Sequence, residues 1–96
     1  MITTKQRAYL RSLANRMDPI FQVGKNGIED NFIKQVESAL EARELIKIKV
    51  LENSGLTARE ASEIICEEIG CEGIQAIGSK LVLFKQSEKK PKIELP

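Results

Sequence analysis

The chain has no histidine and only two cysteines among its 96 residues, so it nearly lacks the side chains that most often hold transition metals or move protons near neutral pH. Cys66 and Cys71 are five apart at an expected helix end, a spacing that neither matches a C-x₂-C zinc pair nor suggests two thiols facing each other across a turn. Both are read as packing residues, and no metal, cofactor or catalytic residue is expected. There is no G-x-S-x-G, no Walker loop and no evident base beside Cys66, so an enzyme is not expected either. Aromatic residues are also scarce: Phe21, Phe32 and Phe84 fall in patterns that bury them, which leaves Tyr9 as the one candidate for stacking on a base. No apolar run approaches the ~20 residues that cross a bilayer, and the N-terminal segment lacks the apolar stretch of a signal peptide, so a cytoplasmic protein without a membrane partner is expected.

What is present is a soluble composition, 42% hydrophobic and 30% charged with six glycines and three prolines, at a length that makes one domain and is expected to be a monomer. The formal charge of +1 hides strong sorting along the chain. Residues 1–27 carry +4 (Lys5, Arg7, Arg11, Arg16 and Lys25 against Asp18), residues 28–44 carry −3, residues 45–56 carry +1, residues 57–73 carry −4 and residues 74–96 carry +3. Sorting of this kind on a small fold gives one basic and one acidic surface, unless each run is simply a solvated face.

Thr3 or Thr4 can cap a first helix running to about Met17, with an apolar stripe of Gln6, Leu10, Leu13, Ala14 and Met17. Arg7 and Arg11 fall on one flank of this stripe, Lys5 and Arg16 on the other, and Asp18-Pro19 stops the helix. Ile20 to Val23 reads as a short buried strand, and from Ile28 to about Arg43 a second helix is expected. Leu45 to Leu51 alternates, with Ile46, Ile48 and Val50 on one face and Lys47 and Lys49 on the other, so this strand has one covered face and one that is wet or binding. Thr57 to Glu60 forms a capping box for a third helix that Gly70 closes. Gly73 to Ile77 and Leu81 to Lys85 form a hairpin around Gly78-Ser79. The fold class is therefore α/β in the order α-β-α-β-α-β-β, with a mixed four-stranded sheet. Leu81 to Phe84 is apolar on both faces, so the last strand is central or has its second face covered by the first helix. The folded domain is expected over residues 1–86, and residues 87–96, with no periodicity, read as a mobile basic tail.

One motif suggests a ligand. Gly24-Lys25-Asn26-Gly27 stands between a strand and a helix N-terminus, where backbone N–H groups and the helix dipole favour an anion and glycines let a phosphate approach the main chain. KH-type modules clamp a nucleic-acid backbone by this GXXG logic, although a plain strand-to-helix turn has the same pattern. The second GXXG, Gly70-Cys71-Glu72-Gly73, follows a helix and carries a glutamate, so it lacks both the free helix N-terminus and the charge. With few exposed rings, the expected mode is a grip on the phosphates and shape of folded RNA, with Lys47 and Lys49 able to extend the footprint. The competing reading is an adaptor that docks a basic partner protein on the acidic second and third helices.

Over about residues 3–85 the chain resembles the CRM-domain family (chloroplast RNA splicing and ribosome maturation), in its stand-alone bacterial YhbY-like form. The resemblance is carried by Thr4-Lys5-Gln6-Arg7, Leu10-Arg11 and Leu13-Ala14 in the first helix, by Val23 to Gly27, by Ala39 to Lys47, and by Ile77-Gly78 with Leu81 to Lys85. It implies a domain shaped like the C-terminal domain of a translation initiation factor, with structured ribosomal RNA in precursors of the large subunit as its partner. Together the motif and the resemblance give Lys5, Arg7, Arg11, Arg16, Gly24, Lys25, Asn26, Gly27, Lys47 and Lys85 as RNA-binding candidates. The chain departs from the family pattern in having Phe84-Lys85 where Tyr-Arg is frequent, and Glu29 where a Ser or Thr often caps the second helix.

Overall fold

A computed structural model describes residues 2–96. Helix α1 (Thr4–Ala14) leads to strand β1 (Phe21–Val23), α2 (Asp30–Arg43), β2 (Leu45–Val50), a short 3₁₀ turn at Glu52–Ser54, α3 (Ala58–Ile69), β3 (Glu72–Ile77) and β4 (Lys80–Phe84). The expected order and mixed sheet are both found. The strands lie in the order β1-β2-β4-β3, with β1 and β2 parallel and the other two pairs antiparallel. β4 is thus an inner strand between β2 and β3, and this explains why Leu81, Val82, Leu83 and Phe84 are all buried.

Two apolar layers cover the sheet. On one face Val23, Ile46, Ile48, Leu81 and Leu83 meet Val36 and Leu40 of α2 and Ala61 and Ile65 of α3. On the other, Leu10 and Ala14 of α1 pack over Leu45, Ile74, Val82 and Phe84. Both expectations for the last strand hold together: it is central, and α1 covers its second face.

The ends of the helices follow local chemistry. Thr3 caps α1 in a reciprocal box with Gln6, and Thr57 does the same for α3 with Glu60. α1 stops three residues short of Met17, because the backbone tightens into i→i+3 bonds, Met17 N–H to Ala14 carbonyl at 3.0 Å, before the chain crosses to β1. α2 begins at Asp30 rather than Ile28, since Gly27 takes a left-handed φ of 68° and Glu29 is extended. Its end is unusual: Glu44 adopts φ 67° where a glycine is common, and the residue is fully buried.

That buried carboxylate is occupied by residues 87–96, for which the sequence pattern suggests a mobile tail. The Glu44 carboxylate accepts backbone N–H groups of Ser87 (2.7 Å), Lys92 (2.6 Å) and Ile93 (2.7 Å). Glu41, one turn earlier, accepts the Ser87 hydroxyl and the Glu88 amide. Ile93 and Leu95 then pack against the α1 layer, and Gln6 Nε2 donates to the Pro96 carbonyl at 3.2 Å. Nothing periodic in the tail reveals this, because the anchor is a carboxylate on α2.

A second difference concerns the cysteines. Gly70, left-handed at φ 81°, turns the chain back on the end of α3 and brings Cys71 Sγ to 3.4 Å from Cys66 Sγ, so the two thiols do face each other. A spacing of five would hold the side chains apart on a continuous helix, but α3 ends at Ile69 and Cys71 lies past its cap.

Candidate nucleic-acid interface

β1 ends at Val23, whose carbonyl accepts the Leu51 amide at 2.9 Å, and Gly24 begins a turn closed by Gly27 N–H to Gly24 carbonyl at 2.9 Å. Lys25 and Asn26 occupy its exposed tip. The two glycines have different reasons for being there. Gly27 needs its positive φ. Gly24 has an ordinary φ, and a β-carbon on it would meet nothing nearer than Leu51 Cδ1 at 3.8 Å, so the fold itself does not demand a glycine. Gly24 is half-buried in the wall of a cleft.

Beyond the turn, Glu29 occupies the N-cap of α2 without a side-chain hydrogen bond, so no cap side chain takes up the first-turn amides. The loop and this helix start border an open cleft of about 270 Å³ with Gln22, Asn31 and Gln35 on its walls. Glu29 brings negative charge to its rim, opposing Lys25. The other GXXG is a packing device: Gly70 is the left-handed cap of α3, and a β-carbon on Gly73 would stand 2.8 Å from Ser62 Oγ.

Strand register decides which cations accompany the loop. Lys49 pairs with Gln22 of β1 on one side and with Lys80 of β4 on the other, and Lys47 pairs with Val82, so these side chains share the α1 face of the sheet. α1 covers only the half of that face built from Leu45, Ile74, Val82 and Phe84. The other half carries Lys47 and Lys49, both half-buried, and the exposed Lys80, and it ends at the Gly24–Gly27 loop, since Val23 is paired with Val50. Lys80 was not among the expected residues; its signal was the alternation Lys80, Val82, Phe84, which sets it on the same face as Lys47 and Lys49.

The α1 cations are elsewhere. Arg7 is half-buried and donates from its guanidinium to the Gly73 carbonyl at the start of β3, on the sheet edge opposite β1. Three strand spacings and about five residue rises separate Gly73 from Gly24, roughly 20 Å across the sheet. Arg7 and the loop therefore do not form the one continuous patch that their closeness in sequence suggests, because the helix crosses the opposite end of the sheet. Arg11 is half-buried one turn along, Lys5 and Arg16 are exposed at either end of α1, and Lys85 is half-buried after β4, its amide bonded to the Glu44 carbonyl at 2.9 Å. Tyr9 is exposed on α1, Phe84 is buried, and Phe21 and Phe32 are half-buried against the core and meet edge to face at 5.8 Å.

Among the described residues no group of three or more His, Cys, Asp or Glu side chains is placed to hold a metal ion, and no helix is long and apolar enough to cross a membrane.

Comparison with known proteins adds a family. The CRS1/YhbY (CRM) domain profile matches residues 2–85. The "Probable RNA-binding protein YqeI" of Bacillus subtilis is 47% identical over 96 residues, covering all of both chains. An "RNA-binding protein" of Haemophilus influenzae is 36% identical over 95 residues, 99% of this chain and 95% of its own. Among solved structures, a solution structure of the Staphylococcus aureus protein SAV1595, described as a candidate RNA-binding protein, is 45% identical and superposes along the whole of both chains with a TM-score of 0.78.

Proposed function

Because the chain belongs to the CRS1/YhbY (CRM) domain family, we propose that it is a non-catalytic RNA-binding protein that holds structured ribosomal RNA by its phosphates and assists assembly of the large ribosomal subunit. The observation that carries this reading is Gly24: a glycine that neither φ nor packing requires, at the mouth of a basic turn, next to helix amides without a capping side chain. A phosphate seated there would meet main-chain N–H groups at close range, with Lys25 beside it and the Lys47, Lys49 and Lys80 face continuing the contact along the backbone of the RNA. The α1 arginines form a second basic region about one domain width away, suited to a second stretch of a folded RNA rather than to the same phosphates. The relatives named as RNA-binding proteins support the class of ligand.

The test is a filter-binding titration of large-subunit ribosomal RNA with the wild-type chain and with Lys25→Asp combined with Asn26→Asp. Both are exposed turn residues, so folding should change by no more than ~0.5 kcal/mol each while binding is lost. Undiminished RNA affinity in the double variant would refute the loop as the grip. Retention of basic ribosomal proteins instead of RNA would favour docking on the acidic helices.

A further inference from the structure

The cysteine pair takes no part in the RNA grip, yet its surroundings are built. Cys66 lies in the last turns of α3 and Cys71 two residues beyond its end, and the Gly70 amide bonds back to the Cys66 carbonyl at 2.8 Å, which fixes the reversal. The Cys71 thiol donates to Cys66 Sγ across 3.4 Å, and Ser62, one helical turn before Cys66, lines the same cleft beside it. Gly73 packs against this place: a β-carbon there would crowd Ser62 Oγ at 2.8 Å and touch Cys66 Sγ at an ordinary 3.6 Å. Both sulfurs are half-buried in the wall of an open cleft of about 660 Å³ that Arg7 and Arg59 also line, so a small solute can reach them.

We propose that Cys66 and Cys71 form a peroxide-reactive dithiol site, with Cys66 the attacking thiol and Cys71 the resolving one. The Cys66 thiolate attacks the hydroxyl oxygen of a hydroperoxide, the O–O bond breaks, and Cys66 becomes a sulfenic acid while hydroxide or alkoxide departs and takes a proton from water. Cys71 sulfur then attacks the Cys66 sulfur. The sulfenic oxygen leaves as water with the Cys71 proton, and a Cys66–Cys71 disulfide remains. Two electrons have passed from the two sulfurs to the peroxide, and a thiol reductant reverses the change.

The division of labour follows the hydrogen bonds. Donation from Cys71, aided by Ser62 and opposed by burial and by Glu72, lowers the Cys66 pKa to about 7. Cys71 is pushed the opposite way, because its proton is engaged with Cys66 and because it is buried. The charged groups around the pair are Arg7 from α1, Arg59 and Glu63 from α3, Glu72 from β3 and Lys85 after β4.

The experiment exposes the reduced full chain to hydrogen peroxide and follows its intact mass. Wild type should lose two hydrogens, and digestion after glutamate, which cuts between the cysteines at Glu67 and Glu68, should yield peptides joined Cys66 to Cys71 that a thiol reductant separates. Cys71→Ser should accumulate a sulfenic acid at Cys66 that dimedone captures. Cys66→Ser should oxidise roughly tenfold more slowly, since the thiol that remains is half-buried and burial disfavours its thiolate. The wild-type rate should also rise as the pH passes about 7. Disulfide-linked dimers without the internal link, dimedone capture at Cys71 in the wild type, or wild-type oxidation no faster than that of the chain unfolded in urea would each overturn the proposal. The wild-type measurement stands even if a variant fails to fold.

Discussion

Replacing Gly24 and Gly27 by alanine, one at a time, separates what the fold needs from what the ligand needs. At Gly24 the new methyl group meets only Leu51 Cδ1, at an ordinary contact distance of 3.8 Å, and the backbone φ suits any residue. Stability should hold or rise by up to about 0.5–1 kcal/mol, because alanine has fewer unfolded conformations to lose. At Gly27 there is space for the methyl, but φ is +68°, and alanine in the left-handed region costs about 1–2 kcal/mol. For a domain of this length that is a fall in Tm of roughly 4–8 °C for each kcal/mol. Binding should show the reverse order. A β-carbon on Gly24 holds a phosphate off the main chain, and losing one charge-assisted N–H···O bond worth ~1.5–3 kcal/mol weakens RNA affinity roughly 10- to 150-fold. Thermal melts followed by circular dichroism, paired with filter-binding titrations at one fixed salt concentration, read both quantities. A Gly24→Ala protein with unchanged Tm and an RNA affinity within about twofold of wild type would refute phosphate approach at this loop.

Further measurements test other parts of the structure. With Lys25, Lys47, Lys49 and Lys80 each neutralising a phosphate, the loop and sheet face alone should contribute about −3 to −4 to the slope of the logarithm of RNA affinity against the logarithm of salt, with the α1 arginines adding to it, and Lys47→Glu with Lys49→Glu should reduce the total by about two; an affinity indifferent to salt would sink the electrostatic grip. Arg7→Ala and Lys25→Asp lie roughly 20 Å apart and should add in their effects on RNA binding to within about 0.5 kcal/mol, whereas strong coupling would restore the single continuous patch. Burial raises the Glu44 carboxyl pKa, but the amides of Ser87, Ile93 and Lys92 outweigh it, so the folded-state value lies below the ordinary 4.5. Its contribution to stability is therefore complete above that value and is lost as pH falls through the lower folded-state value; Glu44→Gln should flatten the acid limb of a Tm-against-pH curve and speed hydrogen exchange at the Lys92 and Ile93 amides. Leu10→Ala, at a fully buried position of the α1 layer, should cost about 2–5 kcal/mol by denaturant titration.

The elements that the sequence made legible are those whose cause is local. Thr57 and Glu60 announce the start of α3 three residues apart, Gly78-Ser79 announces the hairpin, and four consecutive apolar residues at Leu81 to Phe84 require cover on both faces. The Gly24–Gly27 turn was legible for the same reason, since it closes on itself through the Gly27 amide and the Gly24 carbonyl and needs only the positive φ of Gly27. What escaped depends on partners far along the chain. Lys80 joins Lys49 only through the pairing of β2 with β4, Arg7 leaves the loop because α1 crosses the far end of the sheet, and the tail is held by a carboxylate more than forty residues before it. The cysteines escaped for a subtler reason: helical spacing was applied across Gly70, the residue that ends the helix.

The placement of β4 has a consequence for how the chain is made. Synthesis proceeds from the N-terminus, so the inner strand of the sheet emerges after every strand it must join. Until Lys80–Phe84 is out, β2 has β1 alone for a neighbour and β3 has none, and both present open edges able to pair with another chain. Leu81 and Leu83 are also missing from one apolar layer, and Val82 and Phe84 from the other, so neither side of the sheet can close early. A nascent chain of this kind cannot settle piece by piece as it lengthens. Both layers are complete only once β4 stands between β2 and β3.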